Sequence, residues 1–293
     1  VPERAPDTPA VDLEARLRRQ LTHAGSAQRR IAAYVLAHAD DVAFSSASDL
    51  ASACGASAAT VVRFAQGLGF SGFPAFRQAL QLTLRARLSL PERLERRPRP
   101  SDDDPQARAR ASLALDARLL GHAADTVGAA TLVSIAEQLT RARHVHVVGL
   151  RGSSALADLL GLLLRKAGLD ARSHTCGDVT LFDELRHLDE ADVMVVFSFA
   201  RYARRATDAL ELARGRAAST IAITDSPLSP PARAAERALV VGVASLAFQH
   251  SYVAAVAVIN ALLALVTLAD EARTMASLAD FERVLPADEL LAP

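Results

Sequence analysis

"SAATVVRFAQGLGF", residues 57–70, sets a hydroxyl residue before a run with helical spacing and closes it on glycine. Val61, Val62, Phe64 and Leu68 supply an apolar face, while Thr60, Arg63 and Gln66 sit between them. A helix that only packs does not need that polar set. The preceding "SSASDLASACGA", residues 45–56, reads as a second, shorter helix. Ser46 or Ser48 can cap it, Leu50 and Ala51 can pack, Gly55 breaks it, and Ser57 then caps the next helix. Two capped helices joined by a glycine-bearing turn are the helix-turn-helix arrangement, in which the first residues of the second helix face base edges. Those residues are Ser57, Ala58 and Thr60, with Arg63 and Gln66 further along the same helix. On pattern alone two readings stand: a DNA-reading pair, or a plain bundle of capped helices.

Charge does not choose between them. Lys+Arg and Asp+Glu both number 33, so any nucleic-acid surface must be local. Residues 1–100 hold fourteen arginines against nine acids, a modest excess. With 51% apolar and 23% charged residues over 293 positions, the chain reads as an ordinary soluble protein of about two domains. Cys54 and Cys176 have no CxxC spacing and read as reduced thiols. The first residues carry no apolar leader, so the expected location is cytoplasmic. The longest apolar run, 253–269, is shorter than a span of ~20 residues and is interrupted by Asn260, so a buried helix is expected and no membrane association.

Working outward, residues 1–10 are proline-rich and expected to be disordered, and helical spacing runs from Val11 to about Leu88. "LPERLERRPRPSDDDP", residues 90–105, reads as a linker. Beyond it the grammar changes. Helical patterns at 107–121 and 128–141 precede β-rich runs at 144–150, 171–175, 191–199, 219–225 and 238–245, which alternate with helices. Continuous apolar strands alternating with helices imply a five-stranded parallel sheet covered on both faces, a doubly wound α/β domain. The expected organisation is thus an all-α helix-turn-helix domain (11–89), a linker (90–105) and an α/β domain (106–293).

In such a sheet, ligands bind outside the carboxyl ends of the strands. The first strand ends in "GLRGSSA", where Gly152 turns the chain and Ser153 and Ser154 open a helix. Free N–H groups there suit one phosphate or carboxylate; the spacing is neither a dinucleotide fingerprint nor a P-loop. A simple strand-to-helix turn is the bland alternative. The third strand ends in "FSFARYARRA", which puts Ser198, Arg201 and Tyr202 at the same edge, and the fourth adds Asp225 and Ser226. His250 opens the long apolar segment 249–269. His144 and His146 share a strand face and read as structural. Glu184 and His250 are the one acid and histidine that could form an acid–base pair, with little support from spacing. No metal site and no cofactor are expected.

The stretch "LASACGASAATVVRFAQGLGFSGFPAFRQAL", residues 50–80, resembles the DNA-binding domain of the RpiR family of bacterial transcriptional regulators. The matching positions are Ser57, Thr60, Val61, Arg63, Phe64, Leu68, Gly69, Phe70, Gly72 and Phe73, and the likeness extends over about 11–85. Residues 125–275 resemble the SIS (sugar isomerase) domain that serves as effector domain in that family. The second SIS loop departs from the family's S-x-S-G-x-T. Ser198 is kept, but Ala200, Arg201 and Ala203 replace Ser, Gly and Thr. Two phosphate-binding hydroxyls are thereby lost, and Arg201 is offered as a replacement anion ligand. The resemblance implies a homo-oligomer, dimer or tetramer, that binds a palindromic operator in double-stranded DNA and responds to a small anionic effector, phosphosugar-like or sugar-acid-like. On this reading the chain is not an enzyme. The alternative is a sugar-phosphate isomerase with an accessory helical module.

Overall fold

A computed structural model describes residues 9–43, 45–87, 89–95 and 104–284. The chain divides into two units, Val1–Ser89 and Leu90–Pro293.

Among the described residues the first unit is built of helices: α1 (Pro9–His23), α2 (Ser26–Ala37), α3 (Ala39–Val42), α4 (Ala47–Ala53), α5 (Ala58–Gly67) and α6 (Phe73–Arg87). Its core gathers Leu17, Ile31, Val35, Leu50, Val61 and Phe64, one apolar stripe from each contributing helix. Phe64 and Phe70 meet Phe76 edge-on at 5.9 and 5.7 Å between ring centroids, fastening α5 to α6. Val62 is only half-buried, so it flanks the core instead of packing fully inward as its spacing suggested. Pro9 and Ala10 already belong to α1, and the rest of the expected disordered start lies outside the described residues.

The second unit begins with α7 (Leu90–Glu95), so part of the expected linker is helical; residues 96–103 lie outside the described residues. Then follow α8 (Pro105–Thr126), α9 (Ala129–Arg141), β1 (Val145–Gly149), a short 3₁₀ turn (Arg151–Ser153), α10 (Ser154–Lys166) and β2 (Ala171–His174). The chain continues through α11 (Val179–Leu185), β3 (Val193–Phe197), α12 (Arg204–Gly215), β4 (Ser219–Thr224), α13 (Pro230–Ala234), β5 (Arg237–Val240), α14 (Val253–Ala269) and α15 (Glu271–Val284). The Asp104 carboxylate caps α8 by accepting from the backbone N–H groups of Gln106 and Ala107, with Pro105 at the first helical position.

All five strands are parallel, in the order β2-β1-β3-β4-β5. Alternation along each strand separates two cores. Val145, Val147, Val195 and Ile221 face a layer that includes α9, α10 and α14, through residues such as Leu139, Leu160 and Leu262. Val148, Met194, Val196 and Ala222 face the layer built on α11, α12 and α13, with Leu185, Leu210 and Ala234. The chain reverses direction in the sheet between β1 and β3. That switch point opens a crevice at the strands' carboxyl ends, and the site sits there. Among the described residues no single helix is long and apolar enough to cross a membrane.

Candidate functional site

The helical unit builds its candidate surface from α4 and α5. Ser46 caps α4 in a reciprocal capping box: its hydroxyl accepts from the Asp49 N–H, and the Asp49 carboxylate accepts from the Ser46 N–H. The Ser46 hydroxyl, which also donates to the carboxylate at 2.6 Å, and then the Ser46 N–H hold the Asp49 carboxyl below its usual range. Gly55, at φ 58°, takes the left-handed turn between the helices. Arg30 on α2 donates to the carbonyls of Cys54 and Gly55 at 3.1 Å each and staples that turn. Burial pushes the Cys54 thiol up. Ser57 caps α5 by accepting from the Thr60 N–H, and the two hydroxyls lie 2.8 Å apart. At the other end, Gly69 at φ 88° closes α5, with bonds from Gly69 N to Gln66 O and from Phe70 N to Ala65 O.

The outward face of α5 therefore presents Ser57, Ala58, Arg63 and Gln66 as exposed residues, with Thr60 partly covered. All five positions expected to face DNA share this face. Small residues at its start let a helix backbone approach a groove, and Arg63 is long enough to reach a base edge or a phosphate. The Arg30 staple had no signal in the sequence beyond a basic residue two helices away.

In the α/β unit a cleft of about 70 Å³ opens between the loops that follow β1 and β3. Gly152, Ser153, Ser198, Arg201 and His250 line it, as expected from the sequence, and Arg151 joins them. Gly149 must be glycine: a Cβ there would stand 2.3 Å from the Ser153 carbonyl oxygen. At Gly152 a Cβ would fall 2.5 Å from Gln249 Nε2 and 2.7 Å from the Tyr252 hydroxyl oxygen. The helix α14 starts at Val253, four residues later than the expected 249, and Gln249, His250 and Tyr252 line the cleft. There Gln249 donates to the Tyr252 hydroxyl at 3.0 Å, and His250 Nε2 lies 3.2 Å from the Ala200 carbonyl.

Four expected residues lie off the cleft lining. The Tyr202 hydroxyl donates to Asp225 at 2.9 Å, tying the β3 loop to the β4 loop. Ser226 is buried and accepts from the Leu228 N–H, forming a turn. Ser154 is the first residue of α10 and is half-buried beside the cleft. Glu184 and His250 do not meet as an acid–base pair: Glu184 accepts from His174 Nδ1 at 3.0 Å instead.

His144, the residue before β1, serves the sheet. His144 packs beside Asp192, which is 1% exposed and accepts two bonds from Arg143. Burial alone would raise the Asp192 carboxyl, but the Arg143, Asp189 N–H and His144 contacts outweigh it and hold it low. Among the described residues no cluster of His, Cys, Asp or Glu could hold a metal ion.

Residues 11–87 match the helix-turn-helix domain of the rpiR family, and residues 138–265 match the SIS domain. A helix-turn-helix transcriptional regulator of Haemophilus influenzae is 26% identical over 216 residues, 73% of this chain and 74% of its own length. The sugar isomerase domain of the RpiR transcription factor from Sphaerobacter thermophilus is 34% identical, with TM-score 0.58, covering 59% of this chain and 97% of that one. The Vibrio vulnificus NanR protein, solved in complex with ManNAc-6P, shares the fold over 96% of this chain and 100% of its own at TM-score 0.60 and 22% identity. These matches correct the enzyme question left open by the sequence: the helix-turn-helix match and the regulator relatives point to transcriptional regulation and overturn the isomerase alternative. With a DNA-binding module of the rpiR type followed by an SIS domain on a five-stranded parallel sheet, the chain belongs to the RpiR family of transcriptional regulators.

Proposed function

We propose that this regulator binds a palindromic operator in the cytoplasm as a homo-oligomer, through the outward face of α5, and that an anionic small molecule in the β1/β3 cleft alters that binding. The observation that carries the effector half is a pair of largely buried serines whose hydroxyls are open to the cleft. Ser153 and Ser198 are 6% and 3% exposed, line the cleft, and have no side-chain hydrogen bond among the described residues. Their hydroxyl oxygens keep contact with the cleft's solvent, so each can exchange a water for a ligand oxygen. The adjacent start of α10 adds N–H donors and partial positive charge, and Arg201 adds a full one. The NanR protein, of the same fold, was solved with a phosphorylated sugar derivative, which supports a phosphosugar-like or sugar-acid-like anion as the class to screen first.

The DNA half rests on α5. Arg63→Ala and Thr60→Ala are expected to weaken operator binding without unfolding the chain, each by about 1–3 kcal/mol if a base contact is lost. Thr60→Ala also removes a hydroxyl partner of the Ser57 cap, so its thermal midpoint is to be measured alongside. Titration of both variants against operator and random duplex tests the reading. Operator affinity equal to the parent's in both variants would remove α5 as the reading helix.

A further inference from the structure

Among the described residues, three other than glycine have positive φ: Arg151 at 58°, Arg201 at 69° and Ala217 at 63°. Ala217 has an ordinary reason. It follows the end of α12, and the bond from Ala218 N to Ala213 O closes the helix in the usual left-handed cap. No helix end explains the two arginines. Arg151 lies in the loop after β1 and Arg201 in the loop after β3, one on each side of the switch point. Backbone strain of this kind persists where the surroundings impose it, and it clusters at ligand sites.

Both arginines line the cleft, and among the described residues neither guanidinium has an ion pair or a hydrogen bond. Among the described residues no acidic side chain lines the cleft beside them. Two unpaired cations thus line the cleft together with two serines, Ser153 and Ser198, whose hydroxyls have no side-chain partner and are open to the cleft's solvent. The remaining polar wall is already engaged: Gln249 is bonded to Tyr252, and His250 faces the Ala200 carbonyl. The rest is apolar, with Phe199 packed against the Tyr252 ring at 5.5 Å.

Resting on the effector reading above, we infer that Arg151 and Arg201 form a two-arginine clamp whose ligand is a small dicarboxylate. Each guanidinium presents a planar fork that matches a carboxylate in bidentate fashion, and two forks balance a charge of two. The serine hydroxyls donate to the same carboxylates. A short apolar spine suits the Phe199 wall, whereas a polyhydroxylated chain would find its natural partners, Gln249 and Tyr252, bonded to each other. Arg151 is the residue that sequence reading passed over.

Glycine substitution separates ligand binding from folding. Glycine accepts a left-handed backbone without strain, so Arg151→Gly and Arg201→Gly should unfold at or above the parent temperature when unliganded. Thermal shift and calorimetry on the full chain, with succinate, malonate and glucose 6-phosphate as probes, give the readout. The expected result is that a dicarboxylate raises the parent midpoint and that each glycine variant binds it at least tenfold more weakly. A dicarboxylate bound equally by parent and variants overturns the clamp. So does a fall in the unliganded midpoint of both variants, which would make the arginines structural. Binding of glucose 6-phosphate but neither dicarboxylate overturns the ligand class and leaves the anionic-effector reading standing. No shift with any of the three anions overturns the clamp and the effector reading together.

Discussion

His146 is a buried side chain, 4% exposed, on the interior strand β1. Its Nδ1 lies 3.0 Å from His174 Nε2, the rings stack at 5.2 Å between centroids, and His174 in turn meets Glu184. Burial first, and then the neighbouring His174, press the His146 pKa down to about 4. Burial lowers His174 as well, with Glu184 opposing. The folded state therefore holds the pair neutral, while the unfolded chain protonates near 6.5. Stability from this pair is complete above about pH 6.5 and is lost as pH falls towards 4, because over that window the unfolded state binds more protons. For His146 the loss is of order 3 kcal/mol. Urea midpoints at pH 7.5 and 5 should differ for the parent and differ less for His146→Gln; equal pH dependence in both would show that the acid sensitivity lies elsewhere. Sequence reading recognised His144 and His146 as structural, but pairing with His174 depends on strand register and was not legible. Arg151 was passed over for a related reason: backbone strain leaves no mark in residue type.

At the scale of elements, the turn from β1 into α10 is the most constrained. Gly149→Ala would place a Cβ 2.3 Å from the Ser153 carbonyl oxygen and 2.8 Å from the Ala157 Cβ, both fixed in the start of α10. Backbone cannot swing aside as a side chain can, so the expected cost is about 1–3 kcal/mol, with displacement of Ser153 from the cleft. Gly215→Ala, whose Cβ would meet nothing within 4 Å, is the control and should stay within about 0.5 kcal/mol of the parent. Chemical denaturation of both variants is the check, and equal midpoints would refute the packing argument. The strands were legible to within a few residues because buried parallel strands are continuous apolar runs. The helix α15 was not: only Thr274 is buried in it, while Met275 and Phe281 are exposed, so it carries little core pattern. It is held instead by Arg273 donating to the Thr140 carbonyl and by Lys166 over the Phe281 ring, long-range contacts that no local period announces. The charge and prolines that suggested a linker at 90–105 likewise hid α7, whose first turn tolerates Pro91.

For the whole molecule the decisive quantity is apolar surface that one chain leaves uncovered. The helix α14 buries Ala255, Ile259, Leu262 and Val266 in the core, yet Leu268 is 77% exposed. Leu113 on α8 and Met275 on α15 are 71% and 62% exposed. Covering such side chains yields roughly 25 cal/mol per Å², which favours association once several are joined. The full chain and residues 106–293 alone are therefore expected to sediment as a dimer or larger at micromolar concentration. Leu268→Glu should shift both towards monomer, and a parent that runs as a clean monomer would contradict the assembly. A two-fold oligomer carries consequences for the operator. Its paired recognition helices must meet half-sites on one side of the duplex, separated by whole turns of ~10 bp. Inserting about 5 bp between half-sites puts the second on the opposite face and should abolish cooperative binding, whereas about 10 bp should restore much of it. An effector can act on this arrangement only if it binds the operator-competent and incompetent states with different affinity. The same insertion series measured with and without a bound anion tests that coupling: an anion that binds tightly but shifts operator affinity equally little at every spacing would be a ligand without a regulatory role.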